Sequence, residues 1–156
     1  MDKTIYIGID PGKSGGIAYI ENNKLYTYKF PKDLRDLVKI LKKLKGRKCL
    51  CIMELVHSFP NQGVKSTFSF GENFGKWKGL LCAFDIEYML VTPRVWMRYY
   101  GDLPKEKSLR KKRLKEMAKA LYNDIKVTLY TADAILIANY LKEITYEKSK
   151  NTGNSS

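Results

Sequence analysis

The chain has 156 residues, 44% of them hydrophobic, and its 29 Lys plus Arg against 16 Asp plus Glu give a formal net charge of +13. This length favours one domain with a single core and argues against a two-domain enzyme. No apolar run approaches the roughly 20 residues that span a bilayer, and the charge predicts a polyanionic partner, so we expect a soluble protein that binds nucleic acid rather than membranes.

The first part of the chain predicts three strands and a helix. Residues 3–10 form the first predicted strand, and residues 15–21 and 24–30 form a hairpin across Asn22-Asn23, a pair that favours tight turns. Apolar residues at helical spacing then predict an amphipathic helix over residues 33–45.

A long apolar run and a glycine-spaced helix follow. Residues 48–56 are almost continuously apolar, which is typical of a strand in a sheet covered on both faces. Residues 64–84 predict a helix in which Gly71, Gly75 and Gly79 recur every four residues and therefore line one face. Because glycines permit close approach of another backbone, we expect tight helix packing along this face.

The second half of the chain predicts one more strand and three helices. These are a strand over residues 85–92, a short helical turn over 94–100, a basic helix over 105–122 and a final helix over 131–147. The sequence thus predicts an α/β fold with one domain over residues 1–147. Residues 148–156 are polar and predict a disordered tail.

Three acidic residues occupy core elements, where an acid is costly to place. Asp10 ends the first predicted strand, Glu54 lies inside the apolar run of residues 48–56, and Asp133 opens the final helix. A buried carboxylate needs an opposite charge, a proton or a cation. Each acid also has a structural alternative, namely a turn cap for Asp10, a salt bridge for Glu54 and a first-turn charge for Asp133. One shared cation site explains all three together.

Basic residues concentrate in residues 39–48 and 94–119. The first segment fits a solvated helix face as well as it fits a binding surface. The second contains too many like charges for surface decoration alone, so it predicts contacts with backbone phosphates and a strongly salt-dependent affinity.

The expected compartment is the cytoplasm. The first residues lead directly into a strand and do not resemble a signal peptide. Cys49, Cys51 and Cys82 are odd in number and lie in apolar surroundings, which favours reduced thiols.

Several stretches around the acids carry a family resemblance. They are Gly8-Ile9-Asp10-Pro11-Gly12 with Gly15-Gly16, the pair Met53-Glu54, residues 59–79 with their Phe and Gly positions, and Ala132-Asp133-Ala134 with the apolar residues that follow. Together they resemble the RuvC-type Holliday junction resolvases of the RNase H superfamily, in particular the small phage and plasmid members. The similarity covers about residues 5–140, and it implies an RNase H-like mixed five-stranded sheet with helices on both faces.

The resemblance also implies a metal-dependent nuclease site. Asp10, Glu54 and Asp133 would be catalytic residues that hold two Mg²⁺ ions, for which Mn²⁺ could substitute. The family's fourth ligand stands three positions before the last acid, where this chain has Tyr130, which is not an ordinary carboxylate ligand. Lys105 or Lys107 would be the catalytic lysine that faces the phosphate. Hydrolysis of a phosphodiester with two such ions would leave 5′-phosphate and 3′-hydroxyl ends.

The partner implied by the resemblance is a four-way or other branched DNA, bound by a two-fold homodimer whose interface we expect on the helix over residues 64–84. The role would be DNA recombination, DNA repair or phage DNA processing, in a bacterial cell or a phage-infected host. The predicted DNA contacts comprise basic residues for phosphates and two aromatic residues that could stack on exposed bases or belong to the core: Arg94, Lys105, Lys107, Arg110, Lys111, Phe59 and Phe68.

Two other functions fit the same residues. One is a broader branched-DNA nuclease that cuts forks and flaps as well as four-way junctions. The other is a noncatalytic basic DNA-binding module whose acids are structural. Dependence on Mg²⁺ separates the second from an enzyme, because a binding module needs no metal and releases no product.

Overall fold

The computed structural model describes residues 3–57 and 60–153 of the chain. Within these residues the chain forms one five-stranded sheet. Its strands are β1 Ile5–Asp10, β2 Gly16–Glu21, β3 Lys24–Lys29, β4 Cys49–Glu54 and β5 Met89–Val91. The helices in the same part of the chain are α1 Leu34–Lys42, α2 Val64–Ala83, α3 Pro93–Arg98, α4 Lys107–Leu121 and α5 Ala132–Gly153.

The sheet is mixed, as predicted. Its strand order is β3-β2-β1-β4-β5, in which the pairs β1–β2 and β2–β3 are antiparallel and the pairs β1–β4 and β4–β5 are parallel. The β2–β3 hairpin turns at Asn22 and Asn23, whose φ angles of 49° and 63° are the left-handed values that a tight type I′ hairpin requires. The order of elements predicted from the sequence is therefore confirmed.

Helices cover both faces of the sheet. Side chains of β1 alternate between the two faces, and each face carries its own apolar core. Ile5, Ile7 and Ile9 pack in the core beneath α1 and α2, and Tyr6 packs in the core beneath α5. Gly8 brings α5 against the strand itself, since a Cβ on Gly8 would lie only 2.3 Å from the carbonyl oxygen of Ala134. This contact holds the first turn of α5 over the central strand.

Two sequence predictions differ from the structure. Helix α5 continues to Gly153, so the predicted disordered tail is wrong for residues 148–153. The glycine face of α2 contacts nothing in the described part of the chain, since a Cβ added at Gly71, Gly75 or Gly79 would meet no atom within 4 Å. Tight packing of these glycines within the chain is therefore also wrong. None of the described helices is long and apolar enough to cross a membrane.

Candidate active site

The three predicted acids lie at the same end of the fold. β1 and β4 are parallel neighbours with Ile9 opposite Met53, so Asp10 and Glu54 end adjacent strands at the same edge of the sheet. Asp133 lies in the first turn of α5, the helix that packs across β1. All three residues are buried. The structure thus brings together three carboxylates that are far apart in the sequence.

Asp10 is enclosed by the turn that follows β1. Its Oδ1 accepts a hydrogen bond from the backbone N–H of Gly12 at 3.1 Å, so the predicted turn-capping role is real. A Cβ on Gly15 would lie 2.5 Å from the Asp10 carboxyl carbon, so the turn leaves no room for a side chain there. Burial and then the charge of Asp133 raise the pKa of Asp10 to about 6, although the Gly12 N–H and Lys111 oppose the rise.

Glu54 is held by an indole rather than by a cation. The Nε1–H of Trp96 donates a hydrogen bond to Glu54 Oε2 at 2.6 Å, and Trp96 itself is fully buried. Burial and then the charge of Asp10 raise the pKa of Glu54 to about 8, with a smaller rise from Asp133 and opposition from Trp96 and Lys111. Within the described residues no lysine or arginine forms a salt bridge with Glu54, which removes the structural alternative for this acid.

Lys111 is the basic residue that reaches the acids. Its Nζ lies 3.4 Å from Asp133 Oδ2, and its side chain is partly buried. Burial lowers the pKa of Lys111, but the charges of Asp133, Asp10 and Glu54 outweigh burial and raise it, so the ammonium stays charged. Three carboxylates therefore face one ammonium at this end of the sheet.

The sequence predicted Lys105 or Lys107 as the catalytic lysine, whereas the lysine that the structure places beside the acids is Lys111. Glu106 caps α4 by accepting the N–H groups of Ser108 and Leu109 at 2.8 and 3.2 Å, and both predicted lysines are exposed at this helix start. Lys111 shares a helix face with the buried Leu114 and Ala118, three and seven positions later. That spacing identifies the inward face of α4, but Lys107 lies on the same face one turn earlier, so the sequence alone could not have chosen Lys111 over Lys107.

The predicted DNA contacts divide between surface and internal roles. Arg94 is exposed at the start of α3, and Phe68 is 72% exposed on α2, so Phe68 is not a core residue. Arg110 instead binds the loop before α4, because its Nη1 donates to the carbonyl oxygens of Lys105 and Pro104 at 2.7 and 3.2 Å. Phe59 lies outside the described residues.

The donor set matches a divalent cation in its chemistry, although it is not a closed ligand shell. No three His, Cys, Asp or Glu side chains among residues 3–57 and 60–153 are grouped closely enough to hold an ion as they stand. Yet Asp10 and Glu54 have raised pKa values because each is buried beside another carboxylate. Carboxylate oxygens are the ligands that Mg²⁺ prefers, and the positive charge that two such groups lack is what a divalent ion supplies.

Comparisons with known proteins match the fold of this chain but not its sequence. No protein-family model matches the chain, and no curated protein matches it. The solved structure of Thermus thermophilus RuvC in complex with a Holliday junction substrate superposes with a TM-score of 0.61 at 13% identity, covering 90% of this chain and 96% of that one. A second Thermus thermophilus RuvC structure gives a TM-score of 0.54 at 14% identity over the same shares of each chain. The chain therefore has the RuvC-type fold, which confirms the predicted fold class.

Proposed function

We propose that this chain is a Holliday junction resolvase, a metal-dependent endodeoxyribonuclease that makes paired symmetric nicks in four-way DNA junctions. The observation that carries the proposal is the meeting of three buried acids and one lysine at a single edge of a RuvC-type sheet. Perturbed carboxylates in one place are typical of functional sites. Two further observations support it: the formal net charge of +13 suits DNA, and the neighbouring RuvC structure contains a Holliday junction substrate.

In this proposal Asp10, Glu54 and Asp133 hold divalent ions, and two Mg²⁺ are expected, with Mn²⁺ able to substitute. The bound ions would supply a nucleophilic water at neutral pH and neutralise charge on the leaving 3′ oxygen. The indole of Trp96 orients the Glu54 carboxylate through its hydrogen bond of 2.6 Å. Burial of Asp10 and Glu54 excludes bulk water from their carboxylates, which strengthens every charge interaction in the site.

Lys111 is the residue that would face the scissile phosphate. Its ammonium already lies 3.4 Å from Asp133, and the surrounding carboxylates keep it charged. A fixed positive charge at this point stabilises the extra negative charge that develops on the phosphate during hydrolysis. The exposed Arg94, Lys105 and Lys107 would contact backbone phosphates away from the cut. Phe68 is 72% exposed and would stack on an unpaired base unless the α2 face of a second copy covers it.

The exposed face of α2 supports the expected homodimer. Val64, Phe68, Gly71 and Gly75 follow one another at intervals of four, three and four, so they share one helix face. Val64 is 88% exposed and Phe68 72% exposed, and no described residue packs against the glycines. An apolar, small-residue face of this kind would let the same helix of a second copy approach closely. A two-fold pair would supply the two active sites that symmetric nicks require.

We expect Gly75→Arg to convert a dimer of the wild-type chain into a monomer, because a long charged side chain would stand between the two helices. Sedimentation velocity at micromolar concentration measures this directly. Ala120→Arg, which adds the same side chain to an exposed position of α4, is the matched control and should leave the dimer intact. A wild-type chain that sediments as a monomer, or a Gly75→Arg variant that stays dimeric, would contradict this interface.

Cleavage of branched DNA tests the proposed function itself. A labelled four-way junction, a replication fork and a linear duplex are incubated with the wild-type protein in Mg²⁺ or in EDTA. We expect paired symmetric nicks with 5′-phosphate ends, only in Mg²⁺ and fastest on the four-way junction. Equal cutting of forks would favour the broader branched-DNA nuclease. Tight binding without cutting under any condition would make the chain a DNA-binding module.

A further inference from the structure

A groove of about 490 Å³ lies beside the acids, and the site described above does not use it. Its walls come from the turn after β1, the end of β3 with the residues that follow, and the middle of α2. The residues that matter here are Lys13, Lys29, Lys32, Phe30, Asn73 and Tyr130. The volume falls within the roughly 300 to 1,000 Å³ of small-ligand sites.

The sheet places this groove next to Asp10. Asp10 pairs with Gly16 across β1 and β2, and Gly16 pairs with Lys29 across β2 and β3. Neighbouring strands are about 4.8 Å apart, so Lys29 starts about 10 Å from Asp10 along the same edge. Lys13 belongs to the turn whose Gly12 N–H binds the Asp10 carboxylate. The groove therefore begins within about three nucleotides of the acids, given the roughly 3.4 Å rise of a base step.

Asn73 is the unusual residue of the groove. Its side chain is only 6% exposed, yet the structure gives its amide no hydrogen bond to any residue within 3–57 or 60–153. Its amide atoms still reach solvent, because the only fully buried side-chain nitrogen or oxygen without a hydrogen bond among the described residues is Trp77 Nε1. A mostly buried asparagine whose amide opens into the groove without a protein partner indicates a hydrogen-bonding site for something that enters the groove.

The charge of the groove favours an anion. Lys13, Lys29 and Lys32 are exposed and have no salt-bridge partner in the described part of the chain. A fourth lysine, Lys76, is neutralised by Glu72 at 2.8 Å and contributes less. Phe30 and Tyr130 add aromatic surface to the same walls. Free ammonium groups, aromatic rings and one amide together are the groups that bind a nucleotide.

We propose that this groove is a nucleotide subsite that binds the DNA strand next to the cut and reads one unpaired base through Asn73. Lys13, Lys29 and Lys32 bind the strand's phosphates, and the Asn73 amide pairs with the base edge. An asparagine amide matches the N6 and N7 positions of adenine, so adenine is the expected base. This inference rests on the proposed function, because it assigns the strand in the groove to the junction that the acids would cut. An acidic peptide would satisfy the lysines but leave the amide and the aromatic rings without a role.

Binding of short single strands in EDTA tests the subsite without any cleavage. Fluorescence anisotropy with ten-nucleotide strands of dA, dC and dT gives the affinity of each variant for each base. We expect the wild-type protein to bind dA at least about fivefold more tightly than dC or dT. Asn73→Leu and Asn73→Ala should bring the three affinities to within about twofold. Because Asn73→Leu removes no hydrogen bond between described residues, its melting temperature should stay close to that of the wild type.

The lysines are tested separately, with a matched control at the opposite end of the sheet. Lys29→Ala/Lys32→Ala should weaken the binding of all three strands by the same factor. It should also reduce the steepness of log affinity against log salt by about 1.4. Lys45→Ala/Lys48→Ala removes two exposed lysines before the start of β4 and should change the slope by less than half as much. If the two double variants lower the salt slope equally, the groove is not a DNA subsite and the proposal is overturned. A preference for dA that survives in both Asn73 variants would overturn it as well.

These outcomes are distinct from those of the proposed function. A protein that prefers dA through Asn73 but never cuts a junction in Mg²⁺ would support the subsite and contradict the resolvase function. A protein that cuts four-way junctions but binds all strands with equal affinity, with or without Asn73, would support the resolvase function and contradict the subsite.

Discussion

Glu54→Gln is expected to lower junction cleavage in Mg²⁺ by at least about 10²-fold, because the loss of a carboxylate ligand removes several kcal/mol of cation-dependent stabilisation. The amide keeps an oxygen that can accept the Trp96 Nε1–H, so the local packing should survive. Junction binding in EDTA should stay within about twofold, since phosphate contacts dominate affinity. Single-turnover rates from gels measure the cleavage, and fluorescence anisotropy measures the binding. Unchanged cleavage would remove Glu54 from the active site and with it the proposed mechanism.

The same substitution should stabilise the metal-free protein at high pH. The pKa of Glu54 is about 8 in the folded protein against an ordinary value of 4.5, so the folded state holds a proton that the unfolded state has lost. Stability of the wild-type protein must then fall as pH rises from about 4.5 to 8, and the penalty is complete above pH 8. The Asp10 pKa, raised to about 6, adds a fall over a lower range of pH.

Differential scanning calorimetry in EDTA from pH 5 to pH 8.5 measures this penalty. Gln does not titrate, so Glu54→Gln should raise the unfolding free energy at pH 8.5 by a few kcal/mol, on the order expected for a shift of several pKa units. The two proteins should converge towards pH 4.5, where Glu54 is protonated when folded. A wild-type melting temperature that rises between pH 5 and pH 8 would contradict the burial of uncompensated carboxylates.

Lys111→Met is expected to lower the cleavage rate at saturating junction by about 10²-fold, the size of effect seen when one fixed group that stabilises transition-state charge is lost. Met keeps an unbranched apolar stem in the partly buried position and removes only the ammonium. Because Lys111 lowers the pKa of both Asp10 and Glu54, its removal should raise both pKa values. The rising limb of the pH–rate profile should therefore move to higher pH.

Lys112→Met is the matched control, since Lys112 is the next residue on α4 and is exposed. Both variants lose one positive charge, so both should show similar, small losses of junction affinity. Only Lys111→Met should lose the chemical step and shift the pH profile. If the two variants cleave at the same rate, the contact of 3.4 Å between Lys111 and Asp133 is a structural ion pair and not part of the chemistry.

Tyr130 gives the site a character of its own. The resembled family has its fourth metal ligand at this position, where this chain departs from the family with a tyrosine. Tyr130 is 50% exposed and lines the groove with Lys13 and Lys29. The positive charge closest to Asp133 comes from Lys111 on α4 instead. Tyr130 therefore borders the proposed nucleotide subsite, and Lys111 of the basic helix provides the charge beside the acids.

The sequence by itself determined the order of elements, the two-sided sheet and the identity of the three acids. Each of these is a local property: hydrophobic periodicity reports helix or strand, and Glu54 is conspicuous because its immediate neighbours are apolar. A pattern of this kind predicts where a helix begins to within a few residues, as it did for α4.

Only the tertiary structure decided which basic and polar residues belong to the site. Lys107 and Lys111 lie one turn apart on the same face of α4, so which of them reaches the acids depends on the position of the helix along its axis, which packing of Leu114 and Ala118 sets. Asn73 is eighteen or more residues from the acids in sequence, and its missing partner is visible only once its surroundings are known. These properties depend on contacts between segments that are distant in the sequence, so no local sequence pattern predicts them.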